Sequence, residues 1–199
     1  MKSILQLAVF AFIVFFLTRM GSAQGIPTAT QQLELSAFAG GTGTFTRLEG
    51  GKNLGITAGA DLTLLRFRLL RPSLEIRGNE PVDKGHISSQ KSFLGGVRVE
   101  HDFGRVKPYA DFLIGRGEID YGQGGFVAGD LDYISSTSTV YSPGVGVNYS
   151  AFGRFDLKAD LQYQHWYAPV VASGVINPVA MTLGVVYRFD LNPRHHRSR

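Results

Sequence analysis

The sequence contains no cysteine among its 199 residues. It therefore forms no disulfide bond, offers no thiolate nucleophile and has no cysteine ligand for a metal ion. A small exported domain without disulfides needs another source of stability. A closed β-barrel is one such source, because every backbone group in it finds a partner and no strand edge is left unpaired.

The central part of the chain also lacks an excess of charge of either sign. The formal net charge of the whole sequence is +4, but the excess lies near the two termini. Residues 24–189 contain fifteen basic and fifteen acidic residues. A nucleic-acid-binding domain carries its positive charge as a basic face on the folded body. The charge distribution therefore excludes nucleic acid as a partner.

Long hydrophobic runs are absent except for one near the N-terminus. Lys2 precedes an apolar run over residues 4–17, and the small residues at 21–23 follow it. This order is typical of a secretory signal peptide, so we expect residues 1–23 to be removed by cleavage before Gln24. A single transmembrane anchor is the alternative, but the run is shorter than the roughly 20 residues that a spanning helix needs. No cysteine follows the run, which excludes a lipoprotein anchor.

A sustained helical periodicity is absent from the rest of the chain, which alternates apolar and polar residues instead. Alternation with a period of two is typical of β-strands. It predicts an all-β fold, an eight-stranded antiparallel up-and-down transmembrane β-barrel over residues 24–189, with residues 190–199 as a basic periplasmic tail. The predicted strands cover residues 33–40, 55–64, 70–77, 93–100, 108–114, 141–149, 155–164 and 180–189.

The last predicted strand has two very different faces, because successive side chains alternate across a strand. One face is apolar. The opposite face has small or polar residues and carries Arg188. An apolar outside around a polar interior predicts a membrane barrel. A soluble barrel of the lipocalin type, which buries its apolar face, is the alternative. The apolar face consists of Met181, Leu183, Val185, Tyr187 and Phe189.

Connections between the predicted strands alternate between long and short, as in membrane barrels with long outer loops and short periplasmic turns. The predicted long loops cover residues 41–53, 78–90, 117–139 and 168–178. Aromatic residues gather near both strand ends, as expected of two girdles at the membrane interfaces. The predicted girdles contain Phe93, Tyr141, Tyr163, Trp166 and Tyr167 toward the long loops, and Tyr149, Phe152, Phe155, Tyr187 and Phe189 toward the short turns.

The polar faces of the strands carry nearly balanced charge. An arginine or lysine placed against lipid at the membrane centre would cost about 2–4 kcal/mol, so these residues should face the lumen. The lumen of an eight-stranded barrel is only just wide enough for its side chains to fill, which predicts a paired, hydrated plug and no open pore. The candidates for lumen ion pairs are Glu34, Asp61, Arg71, Glu75, Arg77, Arg98, Glu100, Asp111, Asp156, Lys158, Asp160 and Arg188.

The end of the last strand, with Thr182, Gly184, Tyr187 and Phe189, resembles the C-terminal assembly signal of bacterial outer-membrane barrels. Residues 31–189 as a whole resemble the small eight-stranded outer-membrane β-barrel superfamily, which includes OmpA-like transmembrane domains and OmpW-like barrels. The resemblance implies insertion by the barrel-assembly machinery and contact with outer-membrane lipid and lipopolysaccharide. The chain departs from the pattern in two ways. A basic tail follows Phe189, and no peptidoglycan-binding domain follows, so a cell-wall tether is not implied.

The sequence offers no clear catalytic motif. Lipid A deacylases of the PagL type place a histidine and a serine two residues apart, whereas here His165 is followed by Trp166 and Tyr167. A histidine between aromatic residues is better explained as part of a girdle. No metal-ligand cluster, phosphate-binding glycine motif or cofactor motif is present in the sequence, so we expect no catalytic residues, no metal and no cofactor.

These observations together predict a non-enzymatic integral outer-membrane protein with a structural role in envelope integrity or a binding or adhesion role for its surface loops. The first alternative is a narrow porin-like channel for small solutes. A lipid A-modifying enzyme is the third possibility. The sequence indicates no particular surface ligand.

Overall fold

The computed structural model describes residues 33–48, 51–66, 69–83, 88–122, 126–128 and 131–189. The predicted signal peptide at 1–23 and the predicted tail at 190–199 lie outside the described residues, so both remain predictions. Within the described ranges, no helix is long and apolar enough to cross a membrane.

The described residues form twelve β-strands. Eight of them build the barrel wall, while β6 and β7 form a short hairpin and β10 and β11 pair beyond the end of β9. The strands are β1 (Glu34–Phe45), β2 (Lys52–Thr63), β3 (Leu70–Asp83), β4 (Ser88–His101), β5 (Val106–Tyr121), β6 (Phe126–Ala128), β7 (Leu131–Tyr133), β8 (Ser135–Phe152), β9 (Phe155–Tyr163), β10 (His165–Tyr167), β11 (Val175–Ile176) and β12 (Val179–Phe189).

Antiparallel pairing runs around the whole wall. The wall strands follow the order β8, β5, β4, β3, β2, β1, β12, β9, and β9 pairs again with β8. The first and last strands pair from Leu35 opposite Phe189 to Phe45 opposite Val179. The predicted all-β fold, an eight-stranded antiparallel up-and-down barrel, is therefore confirmed.

The outside of the wall is apolar and much of the inside is polar. On β9, Leu157 is exposed whereas Asp156 and Lys158 are buried. On β12, Leu183 is 72% exposed whereas Thr182 is buried. A soluble barrel shows the reverse arrangement, with its apolar residues inside. The lipocalin-type alternative therefore does not fit this fold.

Inward-facing glycines allow the narrow wall to bend. Gly96 on β4 lies against the carbonyl oxygen of Phe112, and Gly115 on β5 lies against that of Phe93. A Cβ atom at either position would overlap these backbone atoms. Closing a small barrel requires such bends, and glycine permits them because it has no side chain on the inside of the bend.

The strands are longer than the sequence predicted on the side of the barrel that carries the connection between β5 and β8. We call this side the loop end and the opposite side the turn end. The predicted loop bounds at 41–53, 78–90 and 117–139 are wrong, because strand pairing continues into all three segments. Glycine is depleted in strands, but pairing with neighbouring strands overrides this propensity. At the loop end, the strand termini lie at Phe45 and Lys52, at Asp83 and Ser88, at Tyr121 and Ser135, and at Tyr167 and Val175.

Candidate functional site

The interior of the barrel is filled by two layers of side chains, which together form the candidate site. The layer toward the turn end is polar, and we call it the charged layer. The layer toward the loop end is apolar, and we call it the apolar plug. The charged layer contains Asp61, Glu75, Arg77, Arg98, Asp111, Lys158 and Asp160. The apolar plug contains Leu48, Leu94, Leu113, Ile119, Tyr121, Val140, Trp166, Ala168 and Ile176.

Arg77 on β3 joins three strands across the lumen. Its Nε donates a hydrogen bond of 2.6 Å to Glu75, and its Nη1 lies 2.7 Å from Asp160 Oδ1 on β9. Its Nη2 lies 3.7 Å from Asp111 Oδ2 on β5. The guanidinium group presents five N–H donors in a planar fork, which suits it to several carboxylates at once.

Arg98 on β4 forms a second centre of ion pairs. Its Nη1 donates to Asp61 Oδ2 at 2.8 Å, and its Nη2 donates to Glu100 Oε2 at 2.8 Å. The guanidinium carbon lies 3.8 Å from the centre of the Tyr109 ring. The ring face attracts the cation and covers one side of it, which excludes water from that side.

Neutral side chains connect the two arginine centres. The hydroxyl of Tyr109 donates a hydrogen bond of 2.8 Å to Asp160. The amide of Gln162 donates to Asp111 at 3.0 Å, and Ser142 donates to Gln162 at 2.7 Å. These neutral members were not among the predicted lumen residues. Their positions in the sequence were sufficient to find them. On β5, β8 and β9, each lies an even number of residues from a charged or buried residue that faces inward, so it faces inward too.

Lys158 differs from the two arginines. Its side chain is buried, but its ammonium group has no hydrogen-bond partner among the described residues. It lies 4.1 Å from the ring centre of Phe38 and 4.6 Å from that of Tyr109. Cation–π attraction to the two ring faces offsets part of the cost of burying this charge.

A further group of charges lies at the turn end. Arg71 Nη2 lies 2.7 Å from Asp102 Oδ2, and Arg71 Nη1 lies 3.6 Å from Glu34. Arg188 on the last strand contacts Asp156 and lies 3.8 Å from Glu34. These pairs join the first, third and last strands near the point where the barrel closes.

Asp102 lies in the turn between β4 and β5, outside the strands. Partial burial alone would raise its pKa, but the backbone N–H of Gly104 and the nearby cations Arg71, Lys107 and Arg66 stabilise the carboxylate. The net result is that the pKa of Asp102 lies below its ordinary value. The N–H of Gly104 donates at 3.0 Å, so this carboxylate also holds the shape of the turn.

The twelve residues proposed from the sequence for lumen ion pairs all lie on the inward face of the wall. Eleven of them form ion pairs within 4.0 Å, and Lys158 is the exception. Buried ion pairs of this kind fix the relative positions of strands, although their net contribution to stability is small. Lys107 and Asn148 are buried, inward-facing polar residues outside this set of twelve.

The apolar plug lies in the lumen at the loop end, beside buried polar side chains that include Thr46, Asn53 and Gln90. Ile119 and Val140 lie on β5 and β8, and neither exposes any surface. The connection after β10 contributes Ala168, and β11 contributes Ile176 to the same cluster. The sequence predicted a paired, hydrated plug throughout the lumen. This layer differs because single apolar residues on the polar faces of several strands come together here.

Trp166 lies inside the barrel mouth and not in a girdle. It is 1% exposed, and its Nε1 donates a hydrogen bond of 3.0 Å to Gln164. The prediction that it belongs to the girdle at the loop end is therefore wrong. The reason is strand parity, because Trp166 continues the inward-facing series of Gln162 and Gln164. Its neighbour Tyr167 is 56% exposed and faces outward.

The residues proposed as an assembly signal occupy both faces of β12. The hydroxyl of Thr182 lies 2.8 Å from that of Thr42, which lies 2.6 Å from that of Thr57. Gly184 lies against the backbone of β1, where a Cβ atom would overlap the carbonyl oxygen of Ala39. The inward-facing half of the motif therefore holds the closing seam of the barrel together. Its recognition by an assembly machinery remains a prediction.

The outward-facing half of that motif is aromatic. The ring centres of Tyr187 and Phe189 lie 4.9 Å apart in an edge-to-face arrangement, and Phe155 lies 5.1 Å from Tyr187. Such contacts add to the stabilisation from burial. They group three aromatic side chains at the turn end of the wall, next to the exposed ring of Phe152.

His165 shows no catalytic arrangement. Its Nδ1 lies 2.9 Å from Asn177 Oδ1, and its ring lies 5.8 Å from that of Tyr167. Among the described residues, its other ring nitrogen has no hydrogen bond to a hydroxyl nucleophile, which a catalytic triad requires. In the part of the chain that the structure describes, no group of three or more His, Asp or Glu side chains is placed to hold a metal ion.

Several solved structures have a similar fold. Neisserial surface protein A (NspA) matches with a TM-score of 0.52 and 20% sequence identity, covering 80% of this chain and 97% of that chain. The attachment invasion locus protein Ail of Yersinia pestis, in complex with the heparin analogue sucrose octasulfate, matches with a TM-score of 0.49 and 15% identity. The match covers 79% of this chain and 99% of that chain. The N-terminal β-barrel domain of Pseudomonas aeruginosa OprF matches with a TM-score of 0.44 and 16% identity, covering 81% and 100%.

No protein-family model and no curated protein sequence matches the chain. The likeness to NspA is therefore one of fold and not of close sequence relationship. The chain has the closed eight-stranded barrel of the small outer-membrane proteins.

Proposed function

From the fold of the small eight-stranded outer-membrane barrels, we propose that this chain is an integral outer-membrane protein that does not conduct solutes. It acts through the surface at its loop end, in envelope integrity, adhesion or the binding of a ligand. It carries out no chemical reaction. The barrel serves to hold that surface in the membrane.

The observation that carries this proposal is the filling of the lumen by two layers in series. A solute that enters from the loop end meets the apolar plug, in which Trp166, Ile119 and Val140 are fully buried. Beyond the plug it meets Arg77 and Arg98, each bonded to carboxylates on other strands. A porin requires a water-filled lumen along its whole length.

The location in a membrane is supported by the distribution of apolar surface. Large apolar side chains are exposed all round the wall, including Leu74, Phe112 and Leu157. Monomeric soluble proteins rarely expose contiguous apolar surface on this scale. Aromatic residues lie at both ends of this surface, Phe93 and Tyr167 toward the loop end. This order matches the apolar band and the two aromatic girdles of outer-membrane barrels.

A surface role is supported by what the loop end presents. Val82 at the end of β3 and Ile134 before β8 are 70% and 73% exposed. Val82 lies closer to the loop end than the exposed Phe93 of the neighbouring strand β4. Ile134 lies closer to the loop end than the exposed Tyr141 of β8. Exposed apolar side chains outside the membrane band favour contact with another molecule.

Planar-bilayer recording with the purified barrel tests the proposal. We expect no steps of conductance above those of the bilayer alone. Reproducible single-channel steps would contradict the proposal and favour a narrow channel. Protease treatment of intact cells is the second arm, and cleavage confined to the loop-end connections supports a surface location.

A narrow channel is the second candidate, and one observation favours it. Asp61 Oδ1, Glu75 Oε2 and Lys158 Nζ are buried without a hydrogen-bond partner among the described residues. Unpartnered polar atoms of this kind are places where water binds. A rearrangement of the ion pairs around such water is the step that a channel would require. A lipid A-modifying enzyme is tested separately by the lipid A profile on overexpression, which we expect to be unchanged.

A further inference from the structure

Two grooves of nearly equal size lie on the outside of the barrel. The first, of about 680 Å3, lies across β2, β3, β4, β5 and β8, and we call it the charged-rim groove. The second, of about 660 Å3, lies across β1, β2, β8, β9 and β12, and we call it the plain groove. Both are open toward the surroundings of the wall and both have apolar floors. They differ in the charge at their rims.

The floor of the charged-rim groove is made by small residues between larger apolar ones. Ala58 lies opposite Gly78, and Gly78 lies opposite Phe93 in the strand ladders. A Cβ atom at Gly78 would have only ordinary contacts, at 3.9 Å, with Phe93 and the backbone of Ser92. The side chains of Ile56 and Phe93 are exposed on either side of this floor. The floor therefore has the polarity that an acyl chain requires.

The rim toward the loop end carries two cations and two carboxylates. Lys91 Nζ lies 3.2 Å from Glu118 Oε2, so this lysine is already paired. Arg116 is exposed and forms no hydrogen bond or ion pair with another residue that the structure describes. Glu80 completes the rim on the β3 side. The groove therefore offers one free guanidinium group directly above an apolar floor.

Arg116 lies on the wall at the same level as the aromatic girdle near the loop end. Arg116 lies opposite Phe93 on β4 and opposite Thr139 on β8. Tyr141, two residues along β8 from Thr139, is also exposed. Aromatic residues of a girdle lie at the level of the lipid headgroups. The guanidinium group of Arg116 is therefore at the level where the phosphate groups of a lipid lie.

We propose that the charged-rim groove binds one molecule of the phosphorylated glycolipid of the outer leaflet, with its acyl chains on the floor and a phosphate at Arg116. This inference rests on the proposed outer-membrane location and deepens it. An arginine binds phosphate by two parallel hydrogen bonds, which a lysine cannot provide. Lys91 supplies a second, weaker contact because it shares its charge with Glu118.

The choice of the lipopolysaccharide glycolipid over a phospholipid follows from the side on which the rim lies. The rim is at the loop end, which the proposed function places outside the cell. In the outer leaflet, the phosphate-bearing lipid is the lipid A part of lipopolysaccharide. The width of the groove, which crosses five strands, also suits a lipid with several acyl chains better than one with two.

The plain groove serves as an internal comparison. Its floor contains Gly41 and Gly43, and its walls contain Leu54, Met181 and Leu183. No lysine or arginine lines it. If apolar shape alone selected lipid, the two grooves would behave alike. The inference predicts that they do not.

Native mass spectrometry of the folded chain in detergent tests the inference. Bisphosphorylated lipid A is the probe, with dephosphorylated lipid A and phosphatidylglycerol as comparison lipids. We expect one tightly held lipid A per barrel and binding at least tenfold weaker for both comparison lipids. Arg116→Gln should weaken lipid A binding at least tenfold, and Arg116→Lys should weaken it less because a point charge remains.

The floor is tested by Gly78→Leu, which fills the groove and should abolish the tightly held lipid. Its matched control is Gly41→Leu, which fills the plain groove and should leave lipid A binding unchanged. Lys52→Gln is the control for charge, because Lys52 is an exposed cation on β2 that does not line the groove. The shift in migration between boiled and unboiled samples in SDS gels verifies that every variant folds.

The inference is overturned if Arg116→Gln and Gly78→Leu bind lipid A as the unchanged chain does. It is also overturned if phosphatidylglycerol or dephosphorylated lipid A binds equally well, or if Gly41→Leu weakens binding as much as Gly78→Leu. The conductance recording that tests the proposed function does not depend on Arg116, Gly78 or Gly41. A conducting barrel that binds lipid A therefore contradicts only the proposed function, and a silent barrel that does not bind it contradicts only this inference.

Discussion

The indole ring of Trp166 occupies the space that a side chain at position 117 would need. A Cβ atom at Gly117 on β5 would overlap two ring carbons of Trp166 and approach Val140. Gly117 is thus required by packing inside the mouth of the barrel, and not by a turn. The contact joins β10 to β5, which lie on either side of β8 in the sheet.

Gly117→Val should destabilise the barrel through overpacking. The added methyl groups must displace the indole or the wall, which costs about 1–3 kcal/mol in well-packed interiors. Urea unfolding in detergent measures the change in the free energy of unfolding. Gly43→Val is the matched control, since it adds the same groups on the outward face, where the nearest atom to a Cβ is 3.9 Å away. Equal destabilisation by the two variants would show that Trp166 is not held against Gly117.

Trp166→Ala should lower the free energy of unfolding by about 3–5 kcal/mol, because a large buried side chain leaves a cavity. Conductance should nevertheless remain absent, since the charged layer lies in series with the plug. Unfolding by urea and planar-bilayer recording on the same preparation give both results. Channel openings in this variant alone would show that the plug, and not the charged layer, is the seal.

Arg77→Met and Lys158→Met should differ strongly in their effects on stability. Removing Arg77 leaves Glu75 and Asp160 as buried carboxylates without their main partner, which costs about 3–5 kcal/mol. Removing Lys158 breaks no hydrogen bond of its ammonium group, so the cost should be smaller than for Arg77. Chemical unfolding of both variants at neutral pH measures the difference. Equal losses would mean that Lys158 holds the surrounding carboxylates as firmly as Arg77 does.

Asp102 should contribute to the loss of stability in acid. Its pKa in the folded chain lies below the ordinary value of 3.8, so its stabilising contribution is present above that value. The contribution is lost as the pH falls through 3.8 toward the lower folded pKa. Asp102→Asn should reduce stability at neutral pH and make its acid dependence shallower in this window. Urea midpoints measured from neutral pH down to about pH 3 check this. Parallel acid profiles for the two proteins would contradict it.

Strand parity carried most of what the sequence could predict about the fold. The alternation in β9 and β12 was enough to identify an apolar outside and a charged inside, because each side chain's face depends only on its position along the strand. Strand ends were predicted poorly. Gly117 and Ser138 suggested a loop by composition, yet they lie opposite each other in the ladder between β5 and β8. Pairing with a neighbouring strand decides such segments, and a single sequence does not contain it.

The interior was predictable by residue type but not by partner. The inward position of Arg77 followed from parity, whereas its contact with Asp160 on β9 depends on how the closed wall brings distant strands together. Trp166 illustrates the opposite failure. Trp166 lies an even number of residues from the inward-facing Gln162, which places it inside. The girdle prediction followed instead from the general preference of aromatic residues for membrane interfaces. Position along the strand was the better guide.

The exposed apolar band around Leu183 is the feature on which the whole account depends, and depth-dependent fluorescence quenching measures its surroundings directly. The chain has no cysteine, so Leu183→Cys and Lys52→Cys each give a single labelling site, at mid-wall and at the loop end. The labelled barrels are folded into lipid vesicles whose acyl chains carry a nitroxide quencher, and iodide is added separately to the water. We predict strong quenching by the lipid and none by iodide at position 183, with the reverse at position 52. Quenching by iodide and not by lipid at position 183 would show that this face meets water, and would contradict the account.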